Sequence, residues 1–330
     1  MPAMMPMAGN AVPACVLVIA AMLAAAPALS QVQATPEAVL RRAFIAGEVY
    51  RYRVSLTVRS ESQGKRPVSI GAETYVSDFS RAAECRVSWR STRRTLAIRE
   101  DASGIMAEEL DAFAPVECSL NTTDGEGAEA RELLAQALET WSKNRTLSYR
   151  EATNGQLAGA RAEFAPNLGE AAPAVLSLWL MRALRPTSTL PAKPLEIGQS
   201  WSEPRAAEIP PWRDVQGSER VEWLEAPPGP EPAVRLHVVQ QISGTVPDTL
   251  EAAERPPAKG QFLADSLSLL SLKDARLLAA TRSASRETVW TIESVPGLTE
   301  PQRFRARLAV QIEIADCQND ACLTPSQNSR

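Results

Sequence analysis

His237 is the chain's single histidine and so the one imidazole it offers for acid–base work. It stands in Val234-Arg235-Leu236-His237-Val238, opposite the face of Val234, Leu236 and Val238. A strand there leaves it half-exposed, without the cleft and orienting partner that a general base needs. Ser62-Gln63-Gly64-Lys65 has the Ser-x-x-Lys spacing of acyl-transfer serines, but it reads as a polar turn after a strand. The Ser-Asp-Asn and Lys-Thr-Gly partners of that motif are missing. Gly198-Gln199-Ser200-Trp201-Ser202 lacks the second glycine of a nucleophile elbow. Glu108, Glu109 and Asp111 are the residue type that glycosidases pair across a cleft. Neighbours on a strand point to opposite faces, so a solvated rim is expected instead. There is no Walker loop, no His-Glu-x-x-His and no Asp-rich calcium loop. The sequence therefore assigns no catalytic residue, cofactor or metal ligand. It reads as non-catalytic, with an unrecognised hydrolase built around His237 as the alternative.

The cysteines carry more. Residues 1–30 contain no Asp, Glu, Lys or Arg, and Ala11–Leu29 is a nearly unbroken apolar run ending in Ala28-Leu29-Ser30. That pattern reads as a signal peptide cut before Gln31, against the competing reading of an uncleaved anchor. Pro13, Pro27 and the absence of a Lys/Arg flank argue against a retained span, although the same absence leaves the leader without a basic start. Cleavage removes Cys15 and leaves Cys85, Cys118, Cys317 and Cys322, an even set in an oxidising compartment. Four cysteines allow three pairings, and proximity favours Cys85–Cys118 with Cys317–Cys322. With no Cys-x-x-Cys and one histidine, disulfides are favoured over zinc.

What would hold these residues is mostly strand. Tyr50, Tyr52, Val54, Leu56 and Val58 alternate with Arg51, Arg53, Ser55, Thr57 and Arg59. Phe304 to Ile314 alternates in the same way, so both segments predict half-buried antiparallel strands. Shorter strands are expected at 69–78, 84–90, 95–100, 116–120, 220–225, 233–242, 276–282 and 286–293. Helices are expected over Ala128–Lys143, with Leu133, Leu134, Ala137, Leu138 and Trp141 on one side, and over Pro173–Arg185. The second, apolar nearly all round and carrying Trp179, is too short to span a bilayer. The expected fold is mainly β (α+β): antiparallel β-sandwich or half-barrel layers with two short helices. Its expected divisions are a leader (1–30), a first β-rich half (31–165), a connector helix (166–189), a second half (190–316) and a polar tail (317–330). The halves are also compatible with one continuous sheet.

Leu190-Pro191-Ala192-Lys193-Pro194-Leu195-Glu196-Ile197-Gly198-Gln199-Ser200-Trp201 is the most distinctive local pattern. It resembles the Leu-Pro-x-x-Pro-Val-x-x-Gly-x-x-Trp stretch of a family of uncharacterised exported bacterial β-rich proteins, function unknown. There too the stretch lies between an apolar helix and a second β-rich half. Ala275-Arg276-Leu277-Leu278-Ala279-Ala280-Thr281 resembles a later stretch of that family, with Ala275 where the family has glycine. The resemblance covers about residues 150–315 and implies a β-rich fold and an exported location, but no catalytic residues. Physically, the prolines enforce extended chain, Gly198 permits a tight turn and Trp201 can cap the core.

Charge narrows the partners. The 35 basic and 39 acidic residues give a net charge of −4 with arginines scattered along the chain, which argues against nucleic acid. No stable membrane span is expected after leader cleavage. The sequence points to an exported periplasmic or envelope protein that binds an apolar ligand or a partner protein. A structural or assembly factor of an envelope complex is the alternative. Trp179 and Trp201 are the expected contact residues.

Overall fold

The computed structural model describes residues 39–70, 73–123, 128–142, 146–162, 190–204, 213–246, 258–292 and 302–317. The leader, the expected helix at 173–185 with Trp179, and Cys322 lie outside them. Twelve strands follow one another as β1 (Val49–Ile70), β2 (Glu73–Ile98), β3 (Gly104–Asp111), β4 (Glu117–Thr122), β5 (Thr146–Glu151), β6 (Leu157–Ala162), β7 (Ser200–Pro204), β8 (Arg213–Glu225), β9 (Ala233–Val246), β10 (Ala258–Ser271), β11 (Leu277–Ile292) and β12 (Gln302–Asp316). A single helix among the described residues, α1 (Ala128–Ser142), sits between β4 and β5.

All twelve strands join one antiparallel sheet in the order β6-β5-β3-β2-β1-β12-β11-β10-β9-β8-β7, with β4 pairing β2 beside β3. The expected mainly β, antiparallel class is therefore what the chain forms, as one continuous sheet. Its seam is the pairing of the first strand with the last, running from Tyr52↔Asp316 to Gln63↔Arg305. The expected strand at 69–78 is instead the tip of a long hairpin, for β1 and β2 pair from Val49↔Arg94 out to Ile70↔Glu73. Ser62 and Lys65 consequently lie within β1 on opposite faces, not in a turn. Segments 276–282 and 286–293 merge into β11, while β10 fills a stretch where no strand was expected.

Alternation sets the two faces. Tyr50, Tyr52, Val54, Leu56 and Val58 are buried, whereas Arg51 and Arg59 are exposed. Cys85, Val87 and Trp89 continue the buried face on β2, and Val310, Ile312 and Ile314 do so on β12. On α1, Leu134, Ala137 and Leu138 fall at helical spacing and are buried as the helix packs on β2, β4 and β1. Cys85 and Cys118 are directly opposed across β2 and β4 and form a disulfide. Cys317 is buried after β12, its amide donating to the Arg51 carbonyl.

The sheet is strongly curled. β5 and β9 are seven steps apart in its order, about 34 Å across a flat sheet. Yet Glu151 at the end of β5 and Leu236 of β9 line the same small cleft. One core cluster correspondingly contains Leu147, Leu56 and Trp223, drawn from both halves and the seam. The half-barrel expectation describes this geometry better than two sandwiched layers.

Candidate functional site

The curl gives the inner face two unlike ends. At one end, residues 39–47 form a strap across the sheet. The Arg42 amide donates to the Thr153 carbonyl and the Ala43 amide to the Asp274 carbonyl, tying the β5–β6 turn to the β10–β11 turn. Buried Arg42 repeats the link through its side chain, 3.7 Å from both Glu151 and Asp274. Its guanidinium also lies over the rings of Phe44 and Tyr50. Phe44 in turn covers Gly104, where an added Cβ would come within 2.6 Å of the ring. A side chain at 104 would force the Phe44 ring to shift.

Beneath the strap lies a charged cluster that the sequence did not reveal. Glu108 is 8% exposed, which replaces the expected solvated rim, while Glu109 faces solvent. Glu108 accepts from Ser91 Oγ and Tyr149 Oη and sits 3.2 Å from Arg93 Nε. Burial opposes the charge on Arg93, but Glu108, with smaller help from Tyr149, Tyr52 and Glu151, holds its pKa above the ordinary value. Burial pushes Glu151 upward, partly offset by Arg42 and Arg93. Tyr52 donates to the Leu277 carbonyl at 2.9 Å and is pushed up to about 12 by burial. Arg276 pairs with Glu231 and with Asp316. The cleft beneath the strap measures about 50 Å³, room for a few water molecules and not for a lipid. Ser268 Oγ, buried without a hydrogen-bond partner among the described residues, borders this space, as does Tyr50.

The other end is aromatic and less buried. Phe79 and Phe304 pack at 6.1 Å between ring centroids, with Gly64 flat beneath them because a Cβ there would meet the Phe304 ring at 2.8 Å. Phe262 and Trp290 gather around Ala258 in a second small cluster. All four rings are half-buried, unlike Tyr52 and Trp223 toward the strapped end. Between the ends, Arg282 stands on the inner face of β11, where burial and the neighbouring Arg93 pull its pKa down to about 9. Arg286, nearer the aromatic end, is lowered by burial as well.

The motifs singled out by sequence do not meet at one place. His237 lies on the outer face with Nε2 3.1 Å from Asp265 and Nδ1 3.9 Å from Glu222. Its side-chain contacts among the described residues are these two carboxylates, across neighbouring strands of the outer face. Trp201 sits on edge strand β7, packs on the core and carries Lys193 Nζ 4.9 Å above its ring. The turn before it has Gly198 at φ 81°, closed by Gly198 N–H donating to the Trp223 carbonyl. Ala275, standing where the resembled family has glycine, is held at φ 53°.

No protein-family model matches the chain, and no curated protein matches it. Among solved structures it is similar at 8% identity to the type II secretion system secretin GspD of E. coli K12 (85% of this chain, 52% of that one, TM-score 0.16). OpdQ of Pseudomonas aeruginosa aligns at 8% identity (81% and 99%, TM-score 0.20). The InvG secretin domain β-barrel from the Salmonella SPI-1 injectisome aligns at 10% identity (85% and 65%, TM-score 0.14). The chain spans about half the length of the first. Likeness at these scores carries no argument about fold or function. No helix among the described residues is long and apolar enough to cross a membrane.

Proposed function

We propose that this is a non-catalytic exported carrier of the periplasm or envelope, which holds an apolar ligand against the inner face of its curled sheet. The observation that carries this reading is the gradient along that face. A strap and an ionic cluster cover one end, the packed core residues Val54, Leu56, Val310 and Ile312 fill the middle, and half-buried aromatics occupy the other end. Apolar rings left partly in water cost about 25 cal/mol per Å², which a ligand laid over them recovers. Export is supported by the apolar run Ala11–Leu29 with its small-residue cut site and by a disulfide that an oxidising compartment sustains. Native mass spectrometry and solvent extraction of the protein purified from its producing cell test the proposal. Co-purifying apolar mass released by solvent supports it, and a ligand-free protein that takes up no lipid from solution overturns it.

A further inference from the structure

The β1–β2 hairpin outruns the rest of the sheet. Its pairing with β12 ends at Gln63↔Arg305 and β12 itself ends at Gln302, but β1 and β2 stay paired out to Ile70↔Glu73, about four pairs or roughly 13 Å past the end of β12. Near its tip the ribbon exposes apolar side chains on both faces: Tyr75 is 50% exposed and Val76 41% exposed. At its base the outer face is basic. Lys65, Arg303 and Arg305 line a groove of about 610 Å³ with Asp78, and Arg307 and Arg59 extend the cationic surface beside it. Arg305 is held by Glu287 and Arg59 by Glu61, while Arg303, Arg307 and Lys65 form no ion pair among the described residues. In a chain of net charge −4 this is a local reversal of sign. Exposed Tyr and Val ahead of a cationic band match the two layers of an anionic bilayer surface, the acyl boundary and the headgroups. A polyanion in solution offers nothing to the apolar tip, whereas a bilayer surface engages tip and cationic band together.

We infer that the ribbon docks the protein on an anionic lipid bilayer, with Tyr75 and Val76 entering the interface and Arg303, Arg307 and Lys65 meeting the headgroups. Phe79 and Phe304 stand at the root of the same ribbon, so docking brings the aromatic end of the inner face to the membrane. Only that last consequence rests on the carrier reading.

Co-sedimentation of the full-length protein with vesicles tests it, using pure phosphatidylcholine and a 70:30 mixture with phosphatidylglycerol at low salt. Strong binding to the mixture and weak binding to phosphatidylcholine are expected. Arg303→Gln with Arg307→Gln should weaken partitioning about 25-fold, roughly fivefold per cation near the surface. Val76→Asp should weaken it at least tenfold with an unchanged circular dichroism spectrum. All variants keep the same core, so differences report the ribbon alone. Equal binding to both vesicles, or indifference to Val76→Asp, overturns docking, as does tighter binding to duplex DNA through the same arginines. Vesicle binding by a protein that holds no apolar ligand leaves docking standing and removes the carrier reading. A ligand-loaded protein that ignores vesicles does the reverse.

Discussion

Arg42→Met strips the charge from the strap while nearly keeping its volume. Arg42 is 6% exposed and sits 3.7 Å from two carboxylates. At an effective dielectric of 20, each such pair is worth about 4.5 kcal/mol of gross attraction. Most of that offsets the desolvation of Arg42 itself, which the methionine no longer requires. What remains is a half-buried Glu151 with Arg93 alone to offset it, and breaking one side of a buried pair costs about 3–5 kcal/mol. At about 2–4 °C per kcal/mol for a domain of this order, melting should fall by roughly 6–20 °C. Adding Glu151→Gln removes the stranded charge and should restore at least about 1.5 kcal/mol in urea unfolding. The sign of the pH effect follows from the raised pKa of Glu151. The folded state holds that proton more tightly, so ionising Glu151 costs stability as pH rises through its folded value. The stability difference between wild type and Glu151→Gln should therefore change between the ordinary glutamate range and that raised value, and flatten above it. A loss below about 1 kcal/mol for Arg42→Met, or a double variant no better than the single, refutes the strap's electrostatic role.

Cys85→Ser with Cys118→Ser opens a 33-residue loop and should cost about 4 kcal/mol in urea unfolding, since chain entropy scales with loop length. Ala275→Gly should be neutral or stabilising by up to about 1 kcal/mol, because alanine is strained at φ 53°, whereas Gly198→Ala should destabilise by about 1–2 kcal/mol. Thermal melts of the two variants decide the sign of each. Tyr50, Tyr52 and Tyr149 are all raised by burial, so alkaline titration at 295 nm should ionise fewer than half of the four tyrosines by pH 11 in the folded protein. Stability should fall as pH rises above the ordinary tyrosine value of about 10, since the unfolded chain gives up these protons first. Full ionisation near pH 10 without unfolding contradicts the burial of that end.

The legibility of the fold in sequence depended on what each strand buries. β1 and β12 bury large apolar residues at every second position, so their period was plain. β2 read as fragments because Ser91 and Arg93 interrupt its buried face, and those inward polar residues belong to the ionic cluster. β10 was invisible for a related reason: its inward positions include Ala264, Ser266 and Ser268, opposite Arg282 and Ala280, which leave no hydrophobic alternation. The Cys85–Cys118 bridge was readable because both cysteines travel with apolar neighbours on their strands. The cluster itself was not, since Arg42, Arg93, Glu108 and Glu151 meet only when the sheet curls. A sequence signal did exist in Arg93 and Glu108, charged residues at positions where the flanking pattern demands burial.

The most direct test of the carrier reading is titration of delipidated protein with N-phenyl-1-naphthylamine, an uncharged apolar fluorophore. Saturable enhancement at one probe per chain is predicted, displaced by long-chain lipid and weakened at least tenfold by Phe262→Gln with Trp290→Gln, while Trp201→Gln leaves it unchanged. Non-saturating fluorescence, or an affinity indifferent to Phe262 and Trp290, contradicts the account.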